Sequence, residues 1–279
     1  MKLYLHIGLH KTGTSFIQKI LNYNKELLNT IYNINLIKFN HKLWKYNNNN
    51  LKEVLDINIV ENKINLISFE FLLPFTWLHK IHNYKDDIFK KNLNSLVNIL
   101  KQKYINIDIH FIITLREQIS YLESYYFQIV KTDNKYINFN DFINDINLYD
   151  LNYYELINSL IDVVGEKNVH YIWYENIFRI NGEKYYIELF LNIITNKNIN
   201  VEIIDFSKIN NYMFNVSPDI KVIDEFYNKN IVEKKVLRKK YQSEKNINYY
   251  KNLFDQKLKS TLMEYYKPSN EKLNIIYYT

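Results

Sequence analysis

The stretch Leu3-Tyr4-Leu5-His6-Ile7-Gly8-Leu9-His10-Lys11-Thr12-Gly13-Thr14-Ser15 reads as a short apolar strand, a loop holding two of the chain's four glycines, and the start of a helix. Small residues let the backbone approach a bound group, and successive N–H groups can point inward. The helix N-terminus beyond Thr14 adds roughly half a positive charge. These are the parts of an anion-binding loop. The G-x-x-x-x-G-K-[ST] pattern of ATP-binding loops needs lysine directly after the second glycine, but here Thr14 stands there and Lys11 comes before Gly13. A displaced lysine implies a different anion. The competing reading is a plain strand-to-helix turn beside an incidental lysine.

Outward from this loop, strand and helix signals alternate. Leu3 to Ile7 reads as a first strand, and Ser15 to Leu28 as one helix with Phe16, Ile17, Ile20, Leu21, Leu27 and Leu28 at helical spacing. Asn40 to Asn50 reads as a loop, Ile64 to Phe69 as a strand, and Pro74 ends regular structure after it. A helix over Ile88 to Leu100 leads to a third strand, Ile107 to Leu115, followed by a helix from about Gln118 to Val130. A helix over Tyr153 to Val164 stops at Gly165, a left-handed C-terminal position, and Val169 to Tyr174 forms a fourth strand. The order implies a mainly parallel central sheet with helices on both faces, a three-layer α/β sandwich. Past residue 180 the pattern weakens; Ser217-Pro218-Asp219 is a helix start, and the tail over about 181–279 is expected to be helical. No linker or repeat divides the chain, so residues 1–279 read as a single domain.

Composition narrows the classes. With 279 residues, 47% hydrophobic and 16% aromatic, the chain has material for a large core, which excludes disorder as its overall state. Zero cysteines remove disulfides and thiolate metal sites together. No secretory signal and no run of roughly 20 apolar residues is visible, so the expectation is a soluble cytoplasmic protein without a membrane span. The net charge of +6 and pI of about 9.0 suit an anionic ligand. The cluster Lys234-Lys235 with Arg238-Lys239-Lys240 reads as a solvated helix face, and the 26 tyrosines as background rather than a stacking platform.

A second grip lies at the end of the third strand. Phe111-Ile112-Ile113-Thr114-Leu115 delivers Arg116 to the carboxyl edge of the sheet, where open α/β folds bind ligands. Ser124 follows eight residues later, about two helical turns on. A guanidinium and a hydroxyl together can hold a phosphate. Taken alone, Arg116 would read as a surface or salt-bridging arginine; after Lys11-Thr12-Gly13-Thr14 it reads as half of a pair.

These segments resemble the sulfotransferases that use 3′-phosphoadenosine 5′-phosphosulfate (PAPS). Lys11-Thr12-Gly13-Thr14-Ser15 is similar to their 5′-phosphosulfate loop, K-x-G-T-[ST] between a first strand and a first helix. Arg116, Ser124 and Tyr126 match their 3′-phosphate motif R-x-P-x-x-x-x-x-S-x-Y, with Gln118 in place of the proline. Trp173-Tyr174-Glu175-Asn176 resembles their Y-E-D/N segment, whose tyrosine lies near the adenine; a packing role for Tyr174 is the competing reading. The resemblance covers roughly residues 1 to 180. Arg-Lys-Gly, which completes the 3′-phosphate site in cytosolic members, is absent, and Asn215-Val216-Ser217 is the candidate to replace it. The lost glycine points away from the small-phenol enzymes and towards those that modify carbohydrates. The implied fold is P-loop-like and nucleotide-binding, with PAPS as sulfuryl donor.

Sulfuryl transfer is an in-line displacement that needs charge neutralisation, a base for the acceptor hydroxyl and alignment of the partners. Lys11 and the amides from Thr12 to Ser15 are the candidates for the first. Glu70, just after the strand ending Ser68-Phe69, resembles part of an S-x-E element and is the candidate base; pairing with Lys11 or Arg116 is its competing role. His10 is the rival base, while His79, His82 and His110 read as structural or surface residues. No metal cluster is visible, and no metal is expected. The expected acceptor is a hydroxyl of a saccharide or other small molecule, with no nucleic acid as partner. Two alternatives stay open: a P-loop nucleotide or sugar kinase, and a catalytically silent nucleotide- or RNA-binding protein.

Overall fold

The structure is a computed structural model, and it describes residues 1–9, 12–38, 57–69, 86–132, 139–146, 151–175, 182–207, 226, 229–230, 232–234, 236–237 and 253–273. Among the described residues five strands form one sheet: β1 (Lys2–Gly8), β2 (Ile34–Leu36), β3 (Ile64–Phe69), β4 (Asp108–Leu115) and β5 (Val169–Trp173). Their order is β2-β3-β1-β4-β5, and every neighbouring pair is parallel. The helices are α1 (Thr14–Tyr23), α2 (Lys25–Ile31), α3 (Asp86–Lys103), α4 (Gln118–Thr132), α5 (Phe139–Asp145), α6 (Tyr153–Val164), α7 (Gly182–Thr195) and α8 (Gln256–Lys272).

Alternation along the strands sorts side chains to the two faces. Leu3, Leu5 and Ile7 of β1 join Ile109, Phe111, Ile113 and Leu115 of β4 in a core with residues of α3 to α6 and α8. Tyr4 of β1, Leu66 of β3, Ile112 of β4 and Ile172 of β5 face the other way, onto Phe16, Ile17 and Ile20 of α1 and Tyr186, Ile187 and Phe190 of α7. Both faces of β1 and β4 are covered. Hence their sequences read as nearly continuous apolar runs, and full burial of each such side chain contributes about 1.5–3 kcal/mol.

Besides α5, which the sequence reading did not expect, two features differ from it. The helix expected over Ser15 to Leu28 is broken at Asn24, which is buried. Asn24 Nδ2 donates to the Ile20 and Asp205 carbonyls at 3.0 and 3.1 Å, and its Oδ1 accepts from Asp205 N–H at 2.8 Å. A side chain that satisfies a distant backbone segment ends one helix and starts another. The second difference is β2, three residues paired with Ile64, Asn65 and Leu66 of β3.

Turns use asparagine where glycine is scarce. Asn33, Asn106 and Asn196 adopt positive φ of 56°, 60° and 53°, the left-handed region that asparagine tolerates best among residues with a side chain. At Gly165 φ is positive as expected, but ψ is 153°, an extended conformation open in practice only to glycine. The tail is helical in α7 and α8; the helix start at Ser217 lies outside the described residues. No helix among the described residues is long and apolar enough to cross a membrane.

Candidate functional site

Because all five strands run parallel, their carboxyl ends share one edge of the sheet. Gly8 of β1 lies in register with Thr114 of β4, and Leu115 with Trp173 of β5. The loop after β1, Arg116 after β4 and Tyr174-Glu175 after β5 therefore emerge at that edge.

The loop is built for close backbone approach. A Cβ added at Gly8 would lie 1.8 Å from Thr14 Oγ1, so only glycine lets the first residue of α1 pack onto the end of β1. Gly13 adopts φ 80° and ψ 6°, the left-handed region, as it turns the chain into α1, and its carbonyl accepts from Phe16 and Ile17 N–H. Thr12 Oγ1 donates to the Leu9 carbonyl at 2.6 Å, joining the residues that flank positions 10 and 11. From α7 the Tyr186 hydroxyl donates to the Thr12 carbonyl at 3.1 Å. That uses its one proton, so in its 2.7 Å contact with Thr114 Oγ1 the threonine donates. Burial pushes the Tyr186 phenol well above its usual range, which keeps it a neutral donor. Thr12 and Thr14 are buried and Ser15 is partly exposed.

The two helix starts at this edge differ in charge. α1 has no acidic residue in its first turn and a glycine as its N-cap. α4 is capped by a carboxylate: Glu117 accepts from Ile119 N–H at 3.0 Å and Ser120 N–H at 2.7 Å. An anion is therefore favoured at the start of α1, while at α4 it meets side chains rather than the helix terminus.

Arg116 is held on several sides. Its Nε and Nη2 donate to Ser120 Oγ at 3.0 and 2.8 Å, its Nε lies 3.8 Å from Glu175 Oε1, and its Cζ sits 5.0 Å from the centre of the Tyr174 ring. Tyr153 from α6 donates to the Arg116 carbonyl at 2.7 Å. Ser124, the expected partner, is buried one turn beyond Ser120 on α4. Residues 116, 120 and 124 thus form one stripe at fourfold spacing. Tyr174 offers one ring face to the guanidinium, a cation–π contact.

Glu175 accepts from Glu117 N–H at 3.0 Å. Burial pushes its carboxyl up, against the Glu117 N–H and Arg116, which hold it down, while the Glu117 charge raises it further. Ser120, Glu117, Glu175, Thr114 and Tyr186 were not singled out from sequence. The fourfold spacing from Arg116 was the readable signal for Ser120. The partners of Glu175 and Tyr186 come together only through tertiary folding.

Lys11, His10 and Glu70 lie outside the described residues, as do His79, His82 and Asn215 to Ser217. Phe69, directly before Glu70, is in register with Ile7 of β1 at the same edge. His110 lies far from the loop near the start of β4, where Nε2 contacts Asp108 Oδ2 at 3.0 Å and Nδ1 contacts His170 Nε2 at 3.3 Å.

Comparison with protein-family models finds no match, and comparison with curated proteins finds none either. Among solved structures, a sulfotransferase from Alicyclobacillus acidocaldarius matches 97% of this chain and 93% of its own, with 12% identity and a TM-score of 0.50. Retinol dehydratase, solved with androsterone and the inactive cofactor PAP, matches over 99% of this chain and 82% of its own, with 11% identity and a TM-score of 0.46. The chain has the α/β, P-loop-like fold of the sulfotransferases.

Proposed function

We propose that this chain is a sulfotransferase that moves a sulfuryl group from PAPS to a hydroxyl of a saccharide or other small acceptor, with residues 1–279 acting as one domain. The observation that carries the reading is the shared edge: the loop that only glycine at position 8 permits, and Arg116 at the end of the neighbouring strand, in a fold common to sulfotransferases. One grip suits a 5′-phosphosulfate and the other a 3′-phosphate, so the pair suits a nucleotide charged on both sides of its ribose. PAPS supplies an activated sulfuryl group with a phosphate as its leaving group. The chain's part is to bind, align and move a proton.

In this reading the N–H groups from Thr12 to Ser15 and the Thr14 and Ser15 hydroxyls face the 5′ end, with Lys11 neutralising charge on the bridging oxygen. Arg116, with Ser120 and Ser124 behind it, holds the 3′-phosphate, and the second face of Tyr174 meets the adenine. Glu70 takes the proton of the acceptor hydroxyl, with His10 as the alternative base. The acceptor binds at the segments Asn40 to Asn50 and Phe71 to Asn83 and at the tail.

The test is a thermal-shift comparison of 3′-phosphoadenosine 5′-phosphate (PAP), PAPS, ATP and GTP. PAP at a hundred times its dissociation constant should add about 2.7 kcal/mol of stability. Stabilisation by ATP but not by PAP would instead support a kinase.

A further inference from the structure

Arg116 does not stand alone at its strand end: Glu175 shares it. Oε2 of Glu175 is committed to the Glu117 N–H at 3.0 Å, while Oε1 faces Arg116 Nε at 3.8 Å, an ion pair too long for a hydrogen bond. Both side chains are mostly enclosed, with 19% of Arg116 and 13% of Glu175 exposed, so solvent screens the pair weakly. A phosphate brought onto the same guanidinium places two negative groups around one positive charge. Such an arrangement relaxes when one anion is neutralised.

Resting on the nucleotide reading above, we propose that Glu175 is a positioning residue of the 3′-phosphate grip, and that binding of that phosphate is coupled to uptake of a proton by its carboxylate. The proton comes from solvent and settles on Oε1, the oxygen that faces Arg116; Oε2 keeps the Glu117 N–H and so keeps the β5 end on the β4–α4 turn. Arg116 is thereby released from its ion pair to the ligand without loss of the local fold. Arg116 and the backbone N–H groups of Glu117 and Glu175 hold the carboxyl down until the phosphate takes up the guanidinium charge. Glu117, whose carboxylate caps α4, adds a like charge, and Tyr153 and Tyr174 add none. Burial raises the carboxyl before any ligand arrives, which shortens the step.

The sign follows from linkage. Below the window in which its carboxyl titrates, Glu175 is protonated with or without phosphate and does not oppose it. Through the window affinity falls as pH rises, and above it the ionised carboxylate repels the ligand. Glu175→Gln keeps an oxygen for the Glu117 N–H and carries no charge. Titrating PAP calorimetrically from about pH 5 to about pH 8.5 compares the two proteins, and the phosphate's own ionisation cancels in their ratio. The expected result is a ratio of Glu175→Gln to wild-type affinity that rises with pH, to about tenfold at the alkaline end, the equivalent of one pKa unit. Wild type should also take up protons beyond those of the variant, seen as a dependence of the binding heat on the buffer's ionisation enthalpy. A ratio that is flat with pH, or weaker binding by the variant throughout, overturns the proposal while leaving the nucleotide reading in place. PAP that fails to bind wild type at any pH overturns both.

Discussion

A methyl group at position 8 would lie 1.8 Å from Thr14 Oγ1 and 2.7 Å from Thr14 Cβ, so Gly8→Ala must push the first turn of α1 away from the end of β1. Overpacking of this kind costs about 1–3 kcal/mol. Its larger effect falls on the site, because the loop N–H groups move with the helix. Gly8→Ala should lose at least about tenfold in PAP affinity, the equivalent of about 1.4 kcal/mol, while its far-ultraviolet circular dichroism stays native. Native affinity would separate the loop from nucleotide binding. Lys11 and Glu70 belong to the same scale but to chemistry rather than shape. Lys11→Ala should abolish turnover while PAP still binds through Arg116, and retained turnover would remove Lys11 from the mechanism. Glu70→Gln should lower kcat and leave PAP affinity nearly intact, whereas an unchanged kcat would move the base to His10.

Among the elements, the start of α4 shows why the motif departs from its usual form. Gln118 stands where the resembling motif has proline, and its side chain is fully buried. Its Nε2 donates to Asn270 Oδ1 at 2.9 Å, and Asn270 Nδ2 returns a bond to Gln118 Oε1 at 3.0 Å. The pair pins α8 to α4 within a turn of Arg116. Removing either amide takes two hydrogen bonds from the other in the core, so Gln118→Ala and Asn270→Ala should each destabilise by about 1–3 kcal/mol. The double variant should cost clearly less than the sum, a coupling of about 0.5–3 kcal/mol; strict additivity in a denaturation cycle would refute the pairing. This contact also shows what a sequence can reveal. The strands β1 and β4 were legible because burial on both faces leaves nearly continuous apolar runs, and α6 because Gly165 marks its end. The loop and Arg116 were legible because their spacing is local. By contrast, β2 is too short to show a period, and the break at Asn24 depends on Asp205, far along the chain. Gln118 looked like a defect in a motif until α8 was seen packed against it.

At the scale of the whole molecule, the sheet encloses an imidazole that burial keeps neutral. His6 of β1 is fully buried, with Nδ1 bonded to Ser68 Oγ at 2.7 Å and its ring edge-on to Phe190. Its Nε2 has no hydrogen-bond partner among the described residues, and burial drives its pKa down to about 3. Burial also lowers His110 and His170, which share one contact near the opposite edge of the sheet. Above the unfolded value of about 6.5 these groups are neutral in both states and contribute no pH dependence. Below it the unfolded chain takes up a proton that folded His6 refuses, so stability falls with pH by about 1.4 kcal/mol per unit for that group. For His6 the fall continues until about pH 3, where the folded protein accepts the proton as well. His6→Gln keeps a polar partner for Ser68 and does not titrate. Between about pH 6.5 and pH 5, wild type should lose about 2 kcal/mol more than this variant in urea denaturation, the product of that slope and a window of about 1.5 units. Parallel losses in the two proteins would show that His6 is solvated or paired in solution. The larger wild-type loss would mark acid sensitivity as a property of the core beneath the loop, independent of the ligand chemistry at the sheet's carboxyl edge.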